Sequence, residues 1–166
     1  PQQQRYVAYT YSPNGKQVYI FDARSNVSYQ AWDGFDRLAA LYFPATTPGS
    51  GLVNWNDYES YAWNAAGERT SVLKRDGQMI GYGYDTLGRV ISKTDANSHT
   101  TTYGYDADGN KTSPTDPLNH TATKTYDGLG RLATSTDANS HTTSFGYDLD
   151  GNQVTVTAAD SGVTTS

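Results

Sequence analysis

Cysteine is absent from the 166 residues of the chain. Disulfide bonds and zinc–thiolate sites are therefore excluded, although the absence leaves the cellular compartment open. Apolar residues are also scarce at 36%, below the share of about 45–50% that is usual for globular domains. No apolar run approaches the roughly 18 residues of a membrane-spanning helix, so we expect no membrane span.

Positively charged residues are fewer than negatively charged ones. The chain has 12 Lys and Arg residues against 17 Asp and Glu residues, for a formal net charge of −5. A nucleic-acid-binding surface needs a basic patch or stripe, and the sequence has none, so we expect no nucleic-acid partner. The chain also lacks a signal peptide and begins at Pro1, which favours an internal fragment or a processed product of a longer protein.

Tyrosine and glycine are abundant instead. Aromatic residues make up 13% of the chain, with 14 tyrosines, 3 tryptophans and 4 phenylalanines, and there are 16 glycines. Aromatic and β-branched residues prefer pleated, half-buried surfaces. The composition therefore favours a β-rich body faced with tyrosine and threonine over a compact core of leucine and isoleucine.

A short phrase recurs along the chain: an aromatic residue, Asp, two variable residues, Gly and a polar residue. Strong copies read YDTLGR, YDADGN, YDGLGR and YDLDGN at a constant spacing, and weaker copies lie upstream. The anchor aromatic residues are Tyr11, Trp32, Trp63, Tyr84, Tyr105, Tyr126 and Tyr147. Self-similarity at a fixed period indicates a repeat protein, so we interpret residues 1–166 as a single repeat array.

Two departures from the simple period are informative. Gly-Arg and Gly-Asn endings alternate in the strong copies, and residues 84–113 match residues 126–155 at most positions. The duplicated unit is therefore a pair of repeats. The gap between Trp32 and Trp63 is longer than the others, at about one and a half periods, and we expect an insertion loop at about residues 43–61.

Each period predicts one β-hairpin. Residues 89–94 are rich in β-branched residues, residues 95–98 are typical of a turn, and residues 99–105 are again strand-like. The anchors imply about 14 strands, and so long an antiparallel sheet must twist and curl. We therefore predict an all-β fold in which tandem hairpins form a long, curved, open antiparallel sheet with a partly wet inner face.

The recurring phrase predicts both the turns and an aromatic ladder. Asp at the first turn position can accept hydrogen bonds from amides further round the turn, and Gly at the fourth position suits a left-handed conformation. The predicted structural turn residues are Asp85, Gly88, Asp106, Gly109, Asp127, Gly130, Asp148 and Gly151. Stacking of successive hairpins predicts an aromatic ladder of Tyr84, Tyr105, Tyr126 and Tyr147.

Two patterns raise the question of a metal site. His99, His120 and His141 recur with the repeat period, but equivalent positions in successive hairpins are two strands, or about 9.6 Å, apart, which is too far to share one zinc ion. The aspartate pairs of YDADGN and YDLDGN suggest calcium, yet the glycine falls too early and no closing Glu follows. We expect turn capping at both patterns, and no metal or cofactor.

Aromatic residues outside the repeat suggest a binding role. Trp55 and Tyr58 lie in the insertion, and segments that break a repeat rule are often where binding occurs. They are the possible ligand contacts of a glycan- or cell-surface-binding module, with packing against the sheet as the alternative. A self-assembling extracellular filament is a further possibility, because an open repeat sheet leaves unpaired edges.

The four strong phrases at their regular spacing, with the intervening DANSHT and LNHT, resemble the RHS/YD-repeat family. This family comprises bacterial rearrangement-hotspot proteins, the C components of insecticidal toxin complexes, wall-associated proteins of Gram-positive bacteria and animal teneurins. The resemblance covers nearly the whole chain. It implies a long β-sheet that spirals into a hollow shell, which in the bacterial toxins encloses a C-terminal toxic domain.

The resemblance implies a structural role, and we expect no enzymatic activity. Neither the core segment that ends the family's shell nor a toxin domain is recognisable in the sequence. We therefore expect an open segment of a spiral shell from a secreted or surface-exposed bacterial protein. Its expected partners are further YD repeats or a toxin domain of the same parent protein, with glycans, cell-surface proteins and self-association as alternatives.

Overall fold

The computed structural model describes residues 7–159 and 163–165. Within these residues every regular element is a β-strand. The strands are β1 (Ala8–Tyr11), β2 (Gln17–Phe21), β3 (Val27–Trp32), β4 (Leu38–Pro44), β5 (Val53–Trp63), β6 (Arg69–Leu73), β7 (Met79–Tyr84), β8 (Val90–Thr94), β9 (Thr100–Tyr105), β10 (Lys111–Thr115), β11 (Thr123–Tyr126), β12 (Leu132–Thr136), β13 (Thr142–Tyr147), β14 (Gln153–Thr157) and β15 (Val163–Thr165).

The strands pair in chain order, β1 to β10 in one sheet and β11 to β15 in a second. The order has no crossover and neither sheet closes on itself, so the predicted all-β fold of tandem hairpins in open antiparallel sheets is confirmed.

In the described part of the chain, no helix is long and apolar enough to cross a membrane. The chain divides into two compact units, Pro1–Gly81 and Tyr82–Ser166.

A row of tyrosines crosses four strands of the first unit. Tyr19, Tyr29, Tyr42 and Tyr58 are direct cross-strand partners on β2 to β5. The ring centroids of successive members lie 4.9, 5.9 and 5.4 Å apart. Aromatic cross-strand pairs each stabilise a sheet by roughly 0.2–1 kcal/mol relative to alanine. This tyrosine row therefore helps to fix the register of the first unit.

The hydrophobic core is thin. Among the described residues, the buried hydrophobic side chains are those of Val27 and Ala40, at 2% and 6% exposure. The low apolar share of the composition explains this, because the chain has few large side chains with which to fill an interior. Contacts and hydrogen bonds between neighbouring hairpins must therefore carry much of the stability.

The insertion differs from the single loop expected at about residues 43–61. Strand β5 runs for 11 residues, and the connection between β4 and β5 is limited to residues 45–52. Pairing of these two strands skips residues 55–57, which form a bulge in β5. Most of the extra residues lengthen a hairpin, since the aromatic and β-branched residues of this segment favour a pleated surface.

Threonine pairs close the turns along one edge of the second unit. The Oγ1 atoms of Thr94 and Thr100 lie 2.8 Å apart, and so do those of Thr136 and Thr142. The corresponding turn between β10 and β11 is where the two sheets divide. Pro114 lies in β10 beside this turn and has no backbone N–H to donate to β11, which explains the interruption.

Candidate functional site

The turns that follow the anchor aromatic residues share one hydrogen-bonded geometry. In the turn that begins at Asp127, the N–H of Gly130 donates to the carbonyl of Asp127, and the N–H of Asp127 donates to the carbonyl of Arg131, both at 2.9 Å. Gly130 has a φ of 74°, in the left-handed region that glycine enters without a Cβ clash. This is a type I turn followed by a glycine bulge, and the strand register shifts beside it.

The eight turn residues named from the sequence occupy equivalent places in four such turns. The first residues are Asp85, Asp106, Asp127 and Asp148, and the fourth residues are Gly88, Gly109, Gly130 and Gly151. The four glycines have φ values of 77°, 90°, 74° and 89° in that order. The weaker repeat copy that begins at Asp33 has the same bonds, with Asp36 at a φ of 62° in place of glycine.

The Asp carboxylate holds each turn together. Oδ1 of Asp127 accepts the backbone N–H groups of Leu129 at 2.9 Å and Arg131 at 3.0 Å, while Oδ2 accepts the Nε–H of Arg131 at 2.8 Å. In the Gly-Asn turns the side-chain amide of Asn110 or Asn152 donates in place of the guanidinium. The residue after the glycine is therefore a specific partner of the Asp.

Three turns on the opposite edge of the second unit use the same design without glycine. These three begin with Asp, hold a non-glycine residue at positive φ in the fourth place and end with histidine. These turns are Asp95–His99, Asp116–His120 and Asp137–His141. Ser98, Asn119 and Ser140 have φ values of 65°, 65° and 69°. Nδ1 of each histidine lies 3.3, 2.9 or 3.0 Å from Oδ2 of its Asp.

The three histidines thus lie at the ends of turns, each beside its own Asp. Sequence reasoning treated the two kinds of turn separately, although a pattern of Asp, three variable positions and then Arg, Asn or His recurs in both and could have revealed the shared design. Within the described residues, no group of three or more His, Cys, Asp or Glu side chains is arranged to hold a metal ion.

Arginine side chains link neighbouring turns in pairs. Arg89 caps its own turn and also donates from Nη1 to the carbonyl of Asp106 in the next turn, at 3.1 Å. Its guanidinium lies 4.7 Å from the ring centroid of Tyr105. Arg131 repeats the arrangement one duplicated unit later, with Asp148 and Tyr147. The shorter Asn110 donates to the Asp of its own turn, so the Gly-Arg and Gly-Asn turns have different roles.

Five of the anchor aromatic residues tie their hairpin to the hairpin before it. A hydroxyl or indole N–H donates to a backbone carbonyl in the preceding repeat. The bonds are Trp32 to Gln17 (2.7 Å), Trp63 to Leu38 (2.9 Å), Tyr105 to Val90 (2.8 Å), Tyr126 to Lys111 (2.9 Å) and Tyr147 to Leu132 (3.0 Å). These contacts differ from the ring stacking expected of an aromatic ladder, because anchors two strands apart, at about 9.6 Å, exceed the roughly 4.5–7 Å of aromatic pairs.

A Tyr105→Phe variant tests the tie. Removing the hydroxyl leaves the carbonyl of Val90 without this donor, and we expect the free energy of unfolding to fall by about 1 kcal/mol. Tyr103→Phe is the matched control on the same strand, because the Tyr103 hydroxyl has no hydrogen-bond partner in the described part of the chain. Urea denaturation should show no significant change for the control, and equal losses in both variants would contradict the assignment.

The capped turns also predict a loss of stability in acid. The pKa of Asp127 lies below its ordinary value chiefly because the backbone N–H of Arg131 donates to it, and the pKa of Asp148 is lowered chiefly by the side-chain amide of Asn152. A carboxyl with a lowered folded pKa binds fewer protons when folded. Its stabilisation is therefore complete above the unfolded pKa of about 3.9 and is lost as the pH falls through the folded value.

We expect the melting temperature to stay nearly constant from pH 7 to about pH 5 and to fall steeply below about pH 4. Asp127→Asn keeps an acceptor oxygen for the backbone amides but cannot be protonated in this range. Its stability should therefore depend less steeply on pH than that of the parent. Calorimetry across this range measures both slopes, and a melting temperature unaffected down to about pH 2.5 would contradict the prediction.

The two possible ligand contacts lie in the first unit in different surroundings. Tyr58 belongs to the tyrosine row, beside Tyr42. Trp55 lies in the bulge, with its ring centroid 5.4 Å from that of Tyr29 and 5.2 Å from that of Tyr42, at interplanar angles of 62° and 61°. Its surface stays 55% exposed, and it lines an open groove of about 470 Å³. Ligand binding at either residue stays a prediction.

The fold and the turns define a class of protein: a tandem repeat of capped antiparallel β-hairpins in which side chains tie each hairpin to the next. The RHS repeat family model matches residues 63–100, 84–121 and 126–163, more than half of the chain. The chain belongs to the RHS repeat family.

Solved structures of larger proteins share the fold. The crystal structure of TcdB2–TccC3 has a TM-score of 0.75 at 16% identity, over 99% of this chain and 10% of that chain. The Tc holotoxin pore of Photorhabdus luminescens, with a substitution in TccC3, has a TM-score of 0.71 at 18% identity, over 96% of this chain and 9% of that chain. This chain thus spans about a tenth of the length of these chains. Among curated proteins no match is found.

Proposed function

We propose that the chain is a wall segment of a secreted or surface-exposed bacterial RHS-repeat protein, and that the complete wall encloses a toxin domain of the same parent protein. The observation that carries this proposal is how the hairpins are held together. Ties from the anchor aromatic residues and links from the arginines join successive hairpins, while the core is thin.

A wall differs from a globular domain in where its stability comes from. A globular domain needs an interior, whereas a wall must keep two faces accessible and resist bending at each joint. Each additional hairpin here can bind the preceding one by the same carbonyl bond, and each arginine turn adds a link to the turn that follows it, so the structure extends without a new core. The likeness of fold to the chains of the TcdB2–TccC3 structures supports this interpretation.

The native protein tests the proposal directly. An antibody against this chain is used to recover the protein from the medium, surface and cytoplasm of the source bacterium, and the mass of the recovered protein is measured intact. We expect a product several times heavier than 18.1 kDa in the medium or at the surface, with a C-terminal domain that resists protease until the repeats are unfolded. A cytoplasmic product of about this size, or a C-terminal domain that is digested at once, would refute the proposal.

Self-assembly into filaments through the sheet edges is the rival structural role. Light scattering of the full chain over a range of concentrations separates the two roles. A filament subunit forms larger particles as the concentration rises, whereas a wall segment, whose neighbours are covalently attached, does not need to self-associate.

A further inference from the structure

The three tryptophans of the chain differ in one respect. The indole N–H groups of Trp32 and Trp63 donate to backbone carbonyls of the preceding hairpin. Trp55 also belongs to a strand, but its indole N–H donates to no protein group within the described residues. Its side chain is also the most exposed of the three, with 55% of its surface open. Trp55 therefore presents both an apolar ring and an unused hydrogen-bond donor.

The bulge that carries Trp55 is held in place without any ligand. Asp57, at its end, receives two bonds from Arg75, at 2.8 and 2.6 Å, and the guanidinium of Arg75 lies 3.9 Å from the ring centroid of Phe43. Trp55 meets the tyrosine row through its contacts with Tyr29 and Tyr42. A bulge fixed on both sides re-aims a side chain in a defined direction, so the position of Trp55 is preformed.

The groove beside Trp55 also has fixed walls. It is lined by Tyr19, Phe21, Val27, Leu52 and Val53 with Trp55. The connection that supplies Leu52 is attached to a neighbouring turn, because Gly49 donates to the side chain of Asn26 at 2.9 Å and Gly51 to the carbonyl of Ser25 at 3.2 Å. A volume of about 470 Å³ lies within the range typical of small-ligand sites, about 300–1,000 Å³.

The chemistry of the lining decides the class of ligand. None of the described residues that line the groove is charged, so an anionic or cationic ligand would find no counter-charge there. The hydroxyl of Tyr19, like the indole N–H of Trp55, has no hydrogen-bond partner in the described part of the chain. A purely apolar peptide side chain would cover these groups without satisfying them, which is unfavourable wherever they become buried.

We propose that this groove binds a neutral oligosaccharide. The C–H face of one sugar ring packs on the indole of Trp55, and ring hydroxyls bond to its N–H and to the hydroxyl of Tyr19. Aromatic side chains of this kind combine an apolar body with a polar tip, which matches the two kinds of surface on a neutral sugar. The proposal concerns recognition by the first unit and does not rest on the wall function.

The whole protein is titrated with neutral hexasaccharides of α-1,4-glucose, β-1,4-glucose and N-acetylglucosamine, while NMR follows its indole N–H resonances. An oligogalacturonate and an apolar heptapeptide are the rival probes. We expect at least one neutral hexasaccharide to saturate the protein and to shift the Trp55 resonance, with those of Trp32 and Trp63 unchanged. The Trp55→Ala variant should bind at least tenfold more weakly. Phe35→Ala, which removes a ring that is 81% exposed outside the groove, should bind as the parent does.

Each alternative result overturns the proposal. It fails if no neutral hexasaccharide binds at millimolar concentration, if the acidic probe or the peptide binds more tightly than every neutral sugar, or if Trp55→Ala binds equally well. Where circular dichroism shows that Trp55→Ala does not fold, the wild-type resonances decide. A shift at Trp55 then supports the groove, and shifts confined to other residues refute it.

Discussion

A Gly130→Val variant loses at least about 2 kcal/mol of unfolding free energy. Gly130 holds a φ of 74°, and a left-handed conformation costs an L-residue about 1–2 kcal/mol before branching at Cβ is counted. The loss is conformational rather than steric, because a Cβ at this position would meet only the side chain of Asn110, at an ordinary 3.9 Å. Urea denaturation measures the change.

Two matched variants isolate the backbone effect. Gly128 lies in the same turn with no positive φ and with open space around its Cβ position, so Gly128→Val should leave the stability nearly unchanged. Gly130→Asn should lose much less than Gly130→Val, because Asn tolerates the left-handed region and Asn119 already adopts it at a φ of 65°. Equal losses in all three variants would contradict the explanation.

The damage from Gly130→Val should also stay local. Repeat stability is a sum of unit terms and neighbour interfaces, so hydrogen exchange should accelerate over roughly residues 115–145 and leave the turn at residues 85–88 protected. Uniform loss of protection along the chain would instead indicate one cooperative globule, and the interpretation as a repeat wall would be wrong.

A Trp63→Ala variant is the second change with a large expected effect. It removes the N–H bond to Leu38 at 2.9 Å and a half-buried ring, and it removes the aromatic surface that lies 5.7 Å from the guanidinium of Arg37. Arg37 also donates to the carbonyl of Asn64, at 2.8 Å, as the link between two turns. We expect the free energy of unfolding to fall by about 2–3 kcal/mol, measured by urea denaturation.

Trp55→Ala is the control for this result. The two tryptophans lie on the same strand, but Trp55 is 55% exposed and makes no bond to a carbonyl within the described residues. Its removal loses the two ring contacts with Tyr29 and Tyr42 and should lower the free energy of unfolding by about 1 kcal/mol, less than Trp63→Ala does. A larger loss from Trp55→Ala than from Trp63→Ala would show that the tie between hairpins is not the main role of the anchor residue.

The positions of the anchor turns could be predicted because glycine marks them. The left-handed conformation favours glycine, and the preceding Asp identifies the start of each turn. The matching design on the opposite edge was harder to see, since Ser98 and Ser140 adopt a positive φ that serine rarely takes and that no composition rule predicts. The role of the residue after the glycine depends on side-chain bonds, which periodicity alone does not describe.

The contacts of the aromatic residues were less predictable than their positions. Sequence spacing placed the anchors in register but did not show whether rings meet rings or polar tips meet carbonyls, as in the bond from Tyr105 to Val90. The tyrosine row of the first unit lies instead on residues such as Tyr29 and Tyr42, outside the recurring phrase. Its members are adjacent because of cross-strand register, which is a property of the folded sheet rather than of linear spacing.

The pairing of turns by arginine limits how such a gene can change length. Each arginine turn joins the turn that follows it, as with Arg89 and Asp106 or Arg131 and Asp148. A duplication or deletion of a whole pair of repeats keeps every arginine beside a suitable acceptor turn. Gain or loss of a single repeat would break this alternation, and where two asparagine turns came together, two successive joints would lack an arginine link. Recombination between copies should therefore favour lengths that differ by whole pairs of hairpins.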